Sequence, residues 1–339
     1  MSYRNAAKEI GQGNFNPIYV CYGTESYLMQ EFIQYLMNKW IAPEERDFAV
    51  SKFDLAETNI AEVIDDAETL PFVGEKKLII AKDASFLTAA KDNSKIEHRI
   101  DRLTEYLLSP AEFSIIVFTV SADKLDERKK IVKAIGQKKA AVPFPPMVGD
   151  DLTHWVRRQS DKLRLSYTGG ADQTLIMNCG GNLQMLAGEI QKLSLYAGEG
   201  GTVDQETVER LVARNTEQNV FLMIDEMVRL RLDRALGIYY ELLKHKEEPI
   251  KILALMARQF RNMLLIKQLS TQGVTGQQMA SQLSMHPYAV KIAAEQAKAF
   301  DSVKLQQALK QLADADYRMK TGQIDKVLAL ELFMLGLAG

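Results

Sequence analysis

Cysteine, histidine and long apolar runs are all scarce in this chain, and each scarcity removes a class of function. Among 339 residues there are two cysteines, Cys21 and Cys179. They lie far apart with no CxxC spacing, so neither a disulfide framework nor a thiolate metal site is expected; both read as buried thiols in a reducing compartment. The four histidines, His98, His154, His245 and His286, have no ligand-like spacing, so no metal site and no cofactor are expected. No GxSxG elbow occurs. No apolar run reaches the length of a membrane span, and the N-terminus lacks the charged-then-apolar layout of a signal peptide. The expectation is a cytoplasmic protein with no membrane partner. Neither sign of charge dominates: 42 Lys and Arg against 44 Asp and Glu leave a formal net charge of −2. That balance disfavours a whole-surface nucleic-acid binder and leaves room for a local basic face.

The most telling absence is a single lysine. Residues 17–28, Pro17-Ile18-Tyr19-Val20-Cys21-Tyr22-Gly23-Thr24-Glu25-Ser26-Tyr27-Leu28, read as a short apolar strand, a glycine turn and an amphipathic helix, the local setting of a phosphate-binding loop. Such a loop needs several glycines to expose backbone N–H groups, a Lys for the outer phosphates and a Ser or Thr for Mg²⁺. Of that equipment Gly23, Thr24, Glu25 and Ser26 keep one glycine and no lysine, and Glu25 puts a carboxylate where a triphosphate would sit. The plainer reading makes Glu25 a cap, since a carboxylate is favoured at a helix N-terminus. On both readings the loop does not hold ATP.

What is present is an ordinary globular composition, 47% apolar and 25% charged, in a chain long enough for two or three domains. Strand-like runs are expected at 18–22, 48–54, 77–82, 114–120 and 140–144. Several are continuously apolar, as in strands covered on both faces. Helices expected at 26–39, 59–69, 97–108 and 127–136 separate them, and this alternation predicts a parallel, doubly wound sheet. Ligand sites in such sheets lie at the carboxyl ends of strands, where Gly23 falls. Pro143, Pro145 and Pro146 break the pattern and mark a boundary. Beyond it the chain reads as almost wholly helical: 149–164, 168–179, 182–197 and 204–213, then 219–230, 232–244, 248–271, 275–283, 287–299, 301–321 and 324–337. Leu183, Leu186, Ile190, Leu193 and Ala197 are spaced for one buried face, with Gly180-Gly181 closing the helix before and Asn182 as N-cap. The stretch 252–266 is apolar around most of its circumference, as in a central bundle helix or one in an interface. The expected domains are 1–146, α/β with a parallel sheet; 147–215, all-α; and 216–339, all-α.

Paired acids such as Asp65-Asp66 and Glu44-Glu45 read as solvated surface, not catalysis. Basic groups at Arg128-Lys129-Lys130-Lys133, Lys138-Lys139, Arg157-Arg158 and Arg229-Arg231-Arg234 each read as solvated helix faces, and only together as a basic surface. More distinctive is Thr69-Leu70-Pro71-Phe72-Val73-Gly74-Glu75-Lys76-Lys77. Pro71 ends the helix and keeps Leu70 extended. Spacing alone favours Leu70 and Phe72 roofing the sheet, because apolar residues beside a helix end usually pack inward. The alternative is a plug that inserts two large apolar side chains into a partner.

Taken together, Tyr22–Leu28, Leu70–Ile80, Lys124–Lys130, Gly180-Gly181-Asn182-Leu183, Glu189–Ala197 and Ala257-Arg258-Gln259-Phe260-Arg261 resemble the delta subunits of bacterial DNA polymerase III clamp loaders. Their order and spacing run along nearly the whole chain. The resemblance implies a RecA-like AAA+ domain, a helical lid over 147–215 and a helical collar over 216–339 that assembles with the other loader subunits. It implies that Gly23, Thr24, Glu25 and Ser26 form a phosphate loop that has lost ATP. It makes Leu70, Pro71 and Phe72 the clamp-binding element, with Pro71 separating an apolar pair. The implied partners are the sliding clamp (beta subunit), the gamma/tau and delta-prime subunits, and primer–template DNA. No catalysis belongs to the chain itself; nucleotidyl transfer belongs to the holoenzyme. Two other classes stay open on the residues alone: a nucleotide-dependent enzyme with a divergent phosphate loop, and a purely structural scaffold.

Overall fold

The apolar runs become one sheet because most of them are covered from both sides. Ile18, Val20, Leu78, Ile79, Ile115, Ile116, Val117 and Phe118 are all buried, the pattern of parallel strands sandwiched between helices. The computed structural model describes residues 1–90, 96–283, 285 and 287–338. The chain divides into two units, Met1–Pro146 and Met147–Gly339.

The first unit runs α1 (Tyr3–Gly11), β1 (Ile18–Gly23), α2 (Ser26–Trp40), α3 (Arg46–Ala49), β2 (Val50–Asp54), α4 (Ile60–Glu68), β3 (Lys77–Lys82), α5 (Ile100–Leu108), β4 (Ser114–Val120), α6 (Lys130–Gln137) and β5 (Ala141–Phe144). Every strand pair is parallel, in the order β2-β3-β4-β1-β5. Helices α4, α5 and α6 bury Val63, Ile64, Leu103, Leu107, Ile131 and Ile135 against one sheet face. On the other face Phe32 of α2 packs against Tyr19 and Phe144, with centroids 5.8 and 5.5 Å apart. Helix α1 is absent from the expectation, although Ser2 caps it by accepting from the Asn5 N–H. Two further differences concern strand ends. Phe48 belongs to α3 and not to a strand. Pro143 lies inside β5, paired with Tyr22. That strand is an edge, the place in a sheet where a residue without an N–H is tolerated.

The second unit is helical: α7 (Gly149–Lys162), α8 (Ala171–Cys179), α9 (Leu183–Ala197), α10 (Gln205–Leu211), α11 (Thr216–Val228), α12 (Leu232–Lys244), α13 (Pro249–Thr271), α14 (Gly276–Gln282), α15 (Pro287–Lys298), α16 (Ser302–Lys320) and α17 (Lys326–Ala338). It also holds one short parallel pair, β6 (Ser166–Tyr167) with β7 (Thr202–Val203), so the stretch expected to be all-α is not strictly so. Two residues per strand are too few for a period to register. Asn182 caps α9 as expected, accepting from the Met185 N–H at 3.0 Å, and Leu183, Leu186, Ile190 and Leu193 are buried. The nearly all-apolar stretch is α13, the centre of a core in which Phe260 meets Phe300 and Phe333 edge-on. Among the described residues no helix is long and apolar enough to cross a membrane.

Candidate functional site

Two places in the first unit carry the residues singled out in the sequence, and they lie at opposite edges of the sheet. The phosphate-type loop follows the carboxyl end of β1, whereas 69–76 precedes the amino end of β3. Parallel strands of about six residues separate such edges by roughly 20 Å.

At the first place the backbone closes on itself. Gly23 pairs with Phe144 and has φ +138°. A Cβ there would stand 2.1 Å from the Phe144 carbonyl oxygen, so glycine is required by the close approach of β5 and not by a ligand. The Glu25 N–H donates to that same carbonyl at 3.1 Å. One of the amides a phosphate loop would present is therefore satisfied within the sheet. Burial raises the Glu25 carboxyl above the ordinary glutamate value, opposed by the Tyr27 N–H. A raised value in the fold means that stability falls as the pH rises from the ordinary glutamate value through the raised one. Glu25→Gln is accordingly expected to melt higher than the wild type at pH 7, with the gain vanishing near pH 3, well below the ordinary glutamate value, where the carboxyl is protonated in both the folded and the unfolded chain. Melting curves at the two pH values check this; a difference independent of pH would refute it.

At the second place the sequence builds a braced projection. Helix α4 begins at Asn59, whose Oδ1 accepts from the Ala61 N–H at 3.0 Å, and ends at Glu68 with Thr69 extended (φ −80°, ψ 128°). The base of the projection is tied from several sides. Buried Lys77 donates from Nζ to the Asp66 carbonyl (2.8 Å), Asp66 Oδ1 (2.7 Å) and the Thr69 carbonyl (3.4 Å). It thus places a cation on the C-terminal carbonyls of α4, where the helix dipole favours one. The Ser114 hydroxyl donates to the Ala67 carbonyl at 2.7 Å, and Trp40 Nε1 donates to the Lys77 carbonyl at 3.0 Å. Lys76 lies over the Trp40 ring, 4.4 Å from its centroid. Gly74 (φ +76°) lets the chain turn beneath the Glu45 side chain, which a Cβ would meet at 2.6 Å.

On this base Leu70 is 73% exposed and Phe72 91% exposed, with Pro71 half-buried between them. The reading from spacing alone, that both residues roof the sheet, is overturned. The rigid base holds them outward, and the sheet below is already covered by Ile60, Val63, Ile64 and Ala67 of α4.

The remaining candidates have structural partners. Asp65 and Glu68 pair with Arg102 and Asp66 with Lys77, so the acid pair Asp65-Asp66 is engaged and not merely solvated. His98 Nδ1 accepts from the Ile60 N–H at 3.3 Å, at the start of α4. His154 and His245 are exposed, and His286 lies outside the described residues. Among the described residues no group of three or more His, Cys, Asp or Glu is placed to hold a metal. Both thiols are buried. Burial pushes the Cys21 pKa well up and that of Cys179 to about 12. Several basic candidates are spent locally. Arg128 forks onto Asp126, holding that carboxyl at about 2. Lys129 donates to the Phe86 carbonyl. Arg157, Arg229 and Arg231 pair with Asp172, Asp225 and Glu226.

Residues missed by sequence reasoning are the braces: Lys77, Ser114, Trp40 and Gly74. Lys77 was legible in principle, because a lysine opening an otherwise apolar strand needs an acceptor close by.

Comparison with known proteins bears on the fold and the family. Residues 19–144 match the family model for the DNA polymerase III delta subunit, and residues 217–337 that for its C-terminal domain. The chain is 39% identical over 330 residues to DNA polymerase III subunit delta of Bacillus subtilis, covering 97% of this chain and 95% of that one. The solved structure of the Bacillus subtilis DNA clamp loader delta protein superposes with a TM-score of 0.65 at 38% identity, covering 99% of both chains. The parallel sheet followed by helical segments is the RecA-like AAA+ arrangement of clamp-loader subunits. The chain belongs to the family of DNA polymerase III delta subunits, components of the clamp loader.

Proposed function

We propose that the chain is the non-catalytic wrench of its clamp loader, gripping the ring-shaped sliding clamp with Leu70, Pro71 and Phe72 and helping to open it. The observation that carries this reading is the pair of large apolar side chains held in solvent on a braced base. A projection of that kind supplies the buried anchor on which interface energy concentrates. Energy for opening comes from differential affinity: the chain must bind the open or strained ring more tightly than the closed one. Its domains are the α/β unit over 1–146, a lid over 147–215 and a collar over 216–339. The collar joins the gamma/tau and delta-prime subunits, and α17 keeps Leu328, Leu332 and Leu335 exposed at helical spacing, suited to packing against partner helices. Primer–template DNA passes within the assembly and meets only salt-dependent backbone contacts. The assembly works in the bacterial cytoplasm.

Surface-plasmon binding of the chain to the sliding clamp of the same organism tests this directly; absence of saturable binding would sink it. The competing reading, a nucleotide-dependent enzyme, is tested by calorimetric titration with Mg·ATP. No heat of binding is expected, because the loop lacks a lysine, sets the Glu25 carboxylate where a triphosphate would sit and has given an amide to Phe144. Saturable ATP binding would favour the enzyme instead.

A further inference from the structure

The exposed apolar surface at the amino edge of the sheet is wider than the Leu70–Phe72 projection. In a doubly wound fold each helix returns the chain to that edge, so the connections entering β2, β3 and β4 lie side by side. Each of the three holds a large apolar side chain in water: Phe48 before β2 (62% exposed), Leu70 and Phe72 before β3, and Leu108 before β4 (79% exposed). Single exposed hydrophobics are unremarkable, but a contiguous set marks a contact surface. Neighbouring strands are about 4.8 Å apart, and β2, β3 and β4 are consecutive neighbours.

The flanking residues are fixed with respect to the projection. Val50 pairs with Leu78, so Phe48, two residues earlier, stands beside the start of β3. Just before it, Glu45 packs against Gly74. On the other side Arg102 of α5 bridges Asp65 and Glu68 of α4, and the Lys77 N–H donates to the Phe113 carbonyl at 2.7 Å. The first turn of α5 is thereby tied to the last turn of α4, and the segment between Leu108 and β4 to the start of β3.

We propose that Phe48 and Leu108 are outlying contacts for the same partner that receives Leu70 and Phe72. The sliding clamp is then gripped along three adjacent strand connections and not by a two-residue plug alone. This rests on the reading that the projection docks on the clamp. Continuity with the projection commits the flanks to that occupant, because a partner seated on Phe72 covers ground on both sides of it.

The test is surface-plasmon binding of the full chain to the clamp, with Phe48→Ser, Leu108→Ser, the double variant and Phe72→Ala. Each flanking variant is expected to weaken binding by about 5- to 20-fold, chiefly through faster dissociation, and the double variant by roughly the product. Melting temperatures should match the wild type, since neither side chain is buried. If Phe72→Ala loses affinity while both flanking variants bind like the wild type, the flanking contacts are overturned and the plug stands. If Phe72→Ala itself binds normally, the clamp-docking reading fails and this proposal falls with it.

Discussion

Phe72→Ala is expected to lower affinity for the sliding clamp by about 100-fold while leaving the melting temperature unchanged, and Leu70→Ala to behave alike. The two readouts separate the readings that the sequence left open. A buried phenylalanine cut to alanine costs about 3–5 kcal/mol of stability. An exposed one costs within about 0.5 kcal/mol, and at 91% exposure Phe72 belongs to the second case. An anchor seated in a partner pocket is worth about 2–4 kcal/mol of binding, hence the large expected loss. Pro71 adds to it by limiting the conformations lost on docking. A variant that melts early, or that binds like the wild type, would return Leu70 and Phe72 to a structural role.

The second large effect is expected at Lys77. Lys77→Met removes three donor contacts at once and leaves the Asp66 carboxylate without its cation. Asp66 Oδ2 already has no hydrogen-bond partner. Removing one member of a mostly buried pair costs about 3 kcal/mol or more, which lowers the transition of the α/β unit by several degrees. Affinity for the clamp should fall as well, because the base of the projection loses the tie between α4 and β3. Lys77→Met combined with Asp66→Asn should recover part of the stability, since the uncompensated charge is gone. Calorimetric melting of the three proteins checks this, and a single variant that melts with the wild type would show that the brace is dispensable.

How much of this was legible before the structure depends on what each residue answers to. Strands β3 and β4 fall at the expected residues, and β1 is only one residue longer, because unbroken apolar runs between turn residues have few alternatives. The absence of a lysine from the phosphate-type loop is plain in the sequence, whereas the hold of the Phe144 carbonyl on the Glu25 N–H is not. The direction of Leu70 and Phe72 was not, because inward packing is the usual outcome and nothing local in the sequence opposes it. What turns them outward is a set of distant ties: Ser114 to Ala67, Trp40 to Lys77 and Glu45 over Gly74. Sequence separation hides such ties. The β6–β7 pair escaped because two residues have no readable period. Phe48 reads as strand because an aromatic two residues before Val50 has strand propensity, yet a single turn of helix puts it in solvent.

The closure of the phosphate-type loop bears on any attempt to seat an anion there. The Phe144 carbonyl receives the Glu25 N–H and occupies the space over Gly23, so the ground an anion would need is lined by the negative end of a peptide dipole. Placing a lysine in this loop would add one charge and nothing else. The strand beside it would also have to retreat, and that strand is held by its own ladder to β1. The packing therefore works as a latch: an anion site here would need the lysine, a freed amide and a displaced strand all at once.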